Sequence, residues 1–305
     1  MSQVLTVGET MALLDPVGDG EPAHGSALTL RIGGAESNCA VALSRLGVPV
    51  TWVSRVGDDP LGRMLVAVLQ HECVDVRVRV EPRHPTGLFL KWRGADGPAN
   101  MYFRRGSAAS LLGPEDVPDE LLDDVELVHL TGITTALGER PRALVHDLAA
   151  RAKARGALVS FDPNYRAALW ESPAEALAAH AELLPLVDWY LCGVAEGKLL
   201  FGVDTPAQVL AAVVERGAAE AVVRVGAQGA LTADGLVPPP TVVPVRDEIG
   251  AGDGFAAGVA WGRLQGWSMT RAVRAGHCVA ASVLHATSDW ETYPSADDVL
   301  AALSA

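Results

Sequence analysis

The sequence predicts an α/β fold, with a parallel-sheet core covered by helices on both faces and a small β-sheet lid. Three observations predict it. Short apolar runs alternate with longer helical patterns along most of the chain, the signature of a parallel sheet. Two segments, 11–33 and 86–105, break that alternation and read as strands with no helix between them. The stretch 252–304 is almost entirely helical.

The elements follow in chain order. "QVLTVG" (3–8) is an apolar run closed by glycine and reads as a buried strand. "SNCAVALSRLG" (37–47) reads as a helix ended by Gly47. "VTWVSRVG" (50–57) is again a strand, and "DPLGRMLVAVLQHE" (59–72) a helix with Pro60 in its first turn. Further strands are expected at 127–132, 157–162, 188–192 and 220–226. Helices are expected at 139–155, 173–185 and 194–217, the last broken near Pro206. In 86–105 the run "ADG" is a turn signal between two strands. "VPPPTVVP" (237–244) is a stiff connector. The expected division is a core of 1–10, 34–85 and 106–305, and a discontinuous lid of 11–33 and 86–105.

The 305 residues suffice for a substantial core. The net charge of −13 argues against nucleic acid or an anionic membrane surface as the main partner. It leaves room for small anionic ligands met by a local arginine cluster. No apolar run approaches the roughly 18–20 residues that cross a bilayer. The N-terminus lacks a basic segment and a cleavage signature, so a cytoplasmic location is expected. Cys39, Cys73, Cys192 and Cys278 are scattered without a CxxC spacing, against a disulfide framework or a zinc site. The eight histidines show no metal-ligand spacing.

Four constellations carry candidate chemistry, each in a loop after a strand or beside a helix start. In "DEIGAGDGFAAG" (247–258), Gly250, Ala251 and Gly252 can turn backbone N–H groups toward one point. The following helix adds the positive end of its dipole. Such a hole suits charge on a transferring phosphoryl group, and Asp253 at its edge can take a proton from an attacking hydroxyl. Alone, the run is equally a capped helix after a tight turn. "RIGGAESNCAVALSRLG" offers Gly33 and Gly34 for close approach to backbone and Asn38 as donor and acceptor, or simply a turn and a cap. "RVGDDPLG" (55–62) and "FDPNYR" (161–166) are the others, the latter placing Asp162, Asn164 and Arg166 at a strand end. On a strand over 99–105, Tyr102 and Arg104 share one face while Phe103 and Arg105 share the other, so one arginine points inward. A solvated lid edge is the other reading of this pair.

"GGAESNCAVALSRLG" and "DEIGAGDGFAAG" resemble the N-terminal and C-terminal signatures of the ribokinase-like sugar kinases, the PfkB family. "GDDPLG" and the lid hairpin are similar to that family too, and the resemblance spans nearly the whole chain. It implies a ribokinase-like fold, ATP and Mg²⁺ as cofactors, and phosphorylation of a primary hydroxyl on a sugar-like substrate. "YFRRGSAAS" (102–110), "HLTGIT" (129–134) and "FDPNYRAALW" (161–170) resemble the branch that phosphorylates the C6 hydroxyl of 2-keto-3-deoxygluconate. The resemblance implies Asp253 as base and Gly250, Ala251 and Gly252 as anion hole. It places Gly33, Gly34 and Asn38 on the substrate hydroxyls. It selects Arg104, with Tyr102 and Arg166, for the keto-acid end. An arginine fork suits such a carboxylate. Phe89 stands where the family often has tyrosine, so it packs without a hydroxyl.

On the ATP side the resemblance implies Glu196, Arg224, Gly226, Gly229, Gly250 and Gly252. Glu196 would reach the magnesium through water. The chain departs from the family's Asn-x-x-Glu motif with Gly193 in "GVAE", and from its usual lysine with Arg224 in "RVGAQG". "HATSDWE" (285–291) lacks the glycine often found before its Asp. An exposed lid edge invites pairing, so at least a homodimer is expected. The alternatives are a fructokinase or another kinase of the same family, and a non-catalytic sugar-acid sensor on the same fold.

Overall fold

The computed structural model describes residues 3–18, 20–94, 97–285 and 289–304. In chain order the elements are β1 (Val4–Val7), β2 (Met11–Pro16), β3 (Leu28–Gly33), α1 (Ala35–Arg45), β4 (Val50–Gly57), α2 (Pro60–His71) and β5 (Asp75–Glu81). Then come β6 (Leu88–Gly94), β7 (Gly97–Phe103), β8 (Leu127–Thr131), α3 (Gly132–Ala136), α4 (Glu139–Ala154), β9 (Leu158–Asp162) and α5 (Pro173–Ala181). The rest are β10 (Trp189–Gly193), α6 (Val194–Phe201), α7 (Pro206–Glu215), β11 (Glu220–Arg224), β12 (Ala230–Thr232), β13 (Gly235–Val237), α8 (Ala251–Leu264), α9 (Met269–Leu284) and α10 (Ala296–Ser304).

The large sheet runs β13-β12-β11-β10-β9-β8-β1-β4-β5. From β11 to β5 every pairing is parallel, so all those strands end on one side, and their following loops converge there. Strand alternation sends neighbouring side chains to opposite faces. Val4, Leu127, Leu191 and Val222 join one core layer, with Leu43 of α1, Phe255 of α8 and Val279 of α9. Leu5, Val128, Tyr190 and Val223 join the other, with Leu148 of α4 and Val213 of α7. This is why the strands read as continuous apolar runs: both faces are buried.

The second sheet runs β3-β2-β6-β7, with β2 and β6 parallel and both outer pairs antiparallel. Residues 95 and 96 of the expected "ADG" turn lie outside the described residues; β6 and β7 flank that position and pair Gly94 with Gly97.

Several details differ from the sequence reading. β5, "DVRVRVE", alternates charged and apolar residues because it is the half-exposed edge of the sheet. The β12–β13 hairpin adds two antiparallel strands at the opposite edge. The helix expected over 173–185 stops at Ala181, and Pro185 sits in a separate short turn. All four cysteines are free. Among the described residues no single helix is long and apolar enough to cross a membrane.

Candidate active site

A cavity of ≈ 1190 Å³ opens where the parallel strands end and the small sheet faces them. It is lined by Gly33, Gly34, Asn38, Phe89, Tyr102, Arg104, Arg166, Glu196, Arg224, Gly250, Gly252 and Asp253. Residues from opposite ends of the chain therefore meet in one place. Ala251, Gly226 and Gly229 are not in its lining. Gly229, at φ +114°, has a packing reason to be glycine: a Cβ there would lie 2.1 Å from the Val237 carbonyl oxygen.

Asp253 sits in the first turn of α8. The Asn38 amide donates to its Oδ2 at 2.8 Å, and the Asn164 amide to its Oδ1 at 3.3 Å. Burial pushes the carboxyl up to about 7; the Asn38 hydrogen bond opposes the shift and nearby Asp162 adds to it. Gly250 caps the helix at φ +81°, and a Cβ there would fall 1.7 Å from the Asp289 carbonyl oxygen, so the turn admits glycine alone. The Ala251 amide donates to the Glu248 carbonyl at 3.2 Å. The amides of Gly250, Gly252 and Asp253 have no protein acceptor among the described residues, which leaves three donors beside the helix's positive end.

Arg224, ending β11, lies against this turn: a Cβ on Gly252 would be 3.8 Å from its guanidinium. It donates to Asp162 at 2.8 Å and stands 3.9 Å from Glu196. Burial alone lowers the Arg224 pKa, but Asp162 and Glu196 outweigh it and the net shift is upward. Glu196, at the start of α6, accepts the Gly193 amide at 3.0 Å on one oxygen and the Tyr165 amide on the other. Burial, reinforced by Asp162, raises the Glu196 pKa; Arg224 opposes it. Gly193 is the N-cap of α6, so Glu196 performs half of a capping box.

No group of three or more His, Cys, Asp or Glu among the described residues is placed to cage a metal. Asp162 is engaged by Arg224, and both Glu196 oxygens by backbone amides. Such a donor set fits a hard cation held chiefly by phosphates and water, with Glu196 reaching it through water.

The lid side differs from the strand argument. β7 ends at Phe103, and Arg104 begins a turn closed by the Ser107 amide on its carbonyl. Both Arg104 and Arg105 consequently line the cavity. Arg104 is also engaged: its Nε donates to Glu9 Oε2 at 2.7 Å, and Ser107 donates to the other Glu9 oxygen. Tyr102 is 41% exposed and stacks on buried Phe89 at 5.5 Å between ring centroids. Arg166 is exposed and, among the described residues, donates to the carbonyl of its neighbour Tyr165 alone, at 3.2 Å.

The sequence reading gives no site role to Glu9, Ile249 or Asp289, which also line the cavity. Glu9 lies two residues past the end of β1, so the strand-end rule that found Asp162 points to it as well. "RVGDDPLG" proves to be a brace. Arg55 bonds Glu81, Glu115 and Asp116 at 2.7–2.8 Å, and Asp59 caps α2 through Gly62 at 2.7 Å. Within "HATSDWE", residues 286–288 lie outside the described residues.

The pfkB family carbohydrate kinase pattern matches residues 1–295. A 2-dehydro-3-deoxygluconokinase of Bacillus subtilis (strain 168) is 35% identical, the match covering 99% of this chain and 95% of that one. A PfkB protein from Polaromonas sp. JS666 superposes with a TM-score of 0.87 at 34% identity, covering 99% and 100% of the two chains. A putative ribokinase II from E. coli in complex with ATP and Mg²⁺ gives 0.89 at 26% identity, covering 100% and 99%. With the same fold, and a family match over residues 1–295 that spans both glycine-rich turns and the acid that follows the second, the chain belongs to the PfkB family of carbohydrate kinases.

Proposed function

We propose that the protein transfers the γ-phosphoryl group of ATP to the C6 hydroxyl of 2-keto-3-deoxygluconate. One observation carries the chemistry: Asp253, held by two asparagine amides, stands beside three unspent backbone donors at a helix N-terminus. Asp253 takes the proton of the attacking hydroxyl as that oxygen moves in line toward phosphorus. The Gly250, Gly252 and Asp253 amides and Arg224 stabilise charge on the transferring group. Mg²⁺ bound to the phosphates would supply further charge neutralisation there. Asn38 and the Gly33-Gly34 backbone orient the sugar hydroxyls. The lid keeps water from the phosphoryl group.

Support for an acidic substrate comes from Arg104, Arg105 and Arg166 around one cavity. Arg104 already serves Glu9, so Arg166 and Arg105 are the freer carboxylate partners. The name carried by the Bacillus relative points the same way. The outer face of the lid supports a dimer. Leu14, Leu30 and Leu90 stand in register across three strands; Leu30, Leu28 and Phe103 are exposed, and Leu14 and Leu90 half-buried. A monomer in sedimentation velocity at micromolar concentration would remove that part of the proposal.

A coupled ADP-release assay with ATP, Mg²⁺ and a substrate panel tests the activity. The expected result is turnover of 2-keto-3-deoxygluconate well above fructose and ribose. Strong fructose turnover with none of the keto-deoxy acid would replace this reading with a fructokinase.

A further inference from the structure

Three cations of the small sheet reach across to the loops on either side of α8 and α9. Arg31 of β3 donates to Glu291 at 2.7 Å, and Arg93 of β6 donates to the Arg246 carbonyl. Between them lies Lys91, whose side chain is only 7% exposed. Its Nζ is 2.8 Å from Asp289 Oδ1 and 3.4 Å from Asp247 Oδ2. Alternation along β6 puts Lys91 on the face of Phe89, which lines the cavity.

Both acids bear on the glycine turn. Asp247 stands three residues before Gly250, and its other oxygen accepts the Ile249 amide at 3.0 Å, fixing the approach to the turn. The Asp289 backbone lies directly on Gly250, its carbonyl filling the space a Cβ would need. Two carboxylates this close to a site that receives a triphosphate oppose its charge unless a cation cancels them. Burial makes the pairing matter more, since a buried acid without its partner is strongly destabilising.

We propose that Lys91 is a positioning residue for phosphoryl transfer. From the lid strand it clasps Asp247 and Asp289 together, holds the 247–250 turn in shape, and cancels their charge beside the anion hole. The hole is then complete only while the lid strand is in place, which ties lid position to catalysis without a contact between Lys91 and substrate. This inference rests on the reading that the 250–253 turn receives the phosphoryl group.

The test compares Lys91→Met, Lys91→Arg, Lys91→Ala and Asp247→Asn with the wild type in the ATP and 2-keto-3-deoxygluconate assay. For Lys91→Met, kcat is expected to fall at least about tenfold while both KM values stay within about threefold. Lys91→Arg should recover most of the loss, and added methylammonium should raise the turnover of Lys91→Ala. A merely structural lysine would instead lower thermal stability and leave kcat per folded molecule unchanged. A Lys91→Met kcat within about twofold of wild type, or a loss confined to KM, overturns the proposal. If Lys91→Met does not fold, Asp247→Asn decides. It retains the Asp289 pair, and an unaltered kcat sinks the idea. Asp253→Asn runs alongside: if it stays active, the site reading itself fails, whatever Lys91 does.

Discussion

At the core end of the cavity, Asp253 accepts from the Asn38 side chain, Asp162 from Arg224 and the Asn164 backbone amide, and Glu196 from the Tyr165 backbone amide. At the open end, Tyr102 and Arg105 of the small-sheet side and Arg166 of the loop after β9 are exposed, and among the described residues Arg166 bonds a neighbouring carbonyl alone. The contrast follows from what each end must do. Groups that meet charge as it develops gain most from being fixed beforehand, because no reorganisation is then needed during the step. On the proposed function, groups that recognise the substrate must first admit it, so they stay solvated before it binds. One family can thus keep a single chemistry while the open end varies with the sugar.

The largest break in that contrast comes from Asp253→Asn. Turnover is expected to fall by about 10³-fold, within the range for losing a general base. The same substitution should stabilise the fold. The Asp253 carboxyl titrates near 7 in the folded protein, above its ordinary value, because of burial. Its contribution to stability is therefore full below the unfolded pKa near 4 and is lost as pH rises through about 7. At pH 8 the ionised acid is a burden, and the variant should melt a few degrees higher; by pH 4 that gain should vanish. Wild-type kcat/KM should fall as pH drops below about 7, since the base must be ionised. A variant that loses activity yet gains no stability at pH 8 would mean that Asp253 is not strained by its surroundings.

A smaller effect, on the open end, is expected from Arg166→Met. Among the described residues the side chain bonds the Tyr165 carbonyl and forms no ion pair, so the fold should be unaffected. Losing a charge-assisted hydrogen bond of about 1.5–3 kcal/mol raises KM for the keto-deoxy acid by roughly tenfold or more. kcat should change by less, because the contact is made in ground and transition state alike. Steady-state kinetics at saturating ATP check this, and an unchanged KM would move carboxylate recognition to Arg105.

The same division governs what could be read from sequence. The core end was legible because its parts lie in compact runs with backbone logic. Gly250 needs a positive φ, Asp253 follows at a helix start, and Asn38 sits in the first turn of α1 after two glycines. The alternation of buried strands and helices gave the order of the core elements for the same reason. The lid end was less legible. The strand pattern sends one arginine of the pair inward and the resemblance selects Arg104; β7 stops one residue earlier, both Arg104 and Arg105 line the cavity, and Glu9 claims the Arg104 guanidinium. Nothing local in "YFRRG" announces a partner 95 residues away. The β12–β13 hairpin and β5 were missed because short or half-exposed edge strands carry weak apolar patterns.

Gly193 offers the smallest and most selective probe of the prewired end. It caps α6 at φ −79°, ψ 148°, a conformation open to any L-residue, and among the described residues a Cβ there would meet Glu196 Oε2 alone, at 3.7 Å. Gly193→Asn therefore fits without displacing backbone. Asparagine is a somewhat better N-cap than glycine, by a few tenths of a kcal/mol, so the melting temperature should rise by about a degree. Its amide would add a donor beside Glu196, at the end of the cavity where Arg224 already faces the glycine turn. The expected outcome is a KM for ATP lowered about two- to threefold, with kcat and the sugar-acid KM unchanged. This would show that the core end has spare capacity at one place and that the chain works without it. If the KM for ATP does not move while the cap stabilises α6, the amide does not reach the nucleotide. Glu196 would then be held by Tyr165 and Gly193 for the sake of the fold, and the prewired end would be narrower, centred on Asp253, Arg224 and the three free amides of the glycine turn.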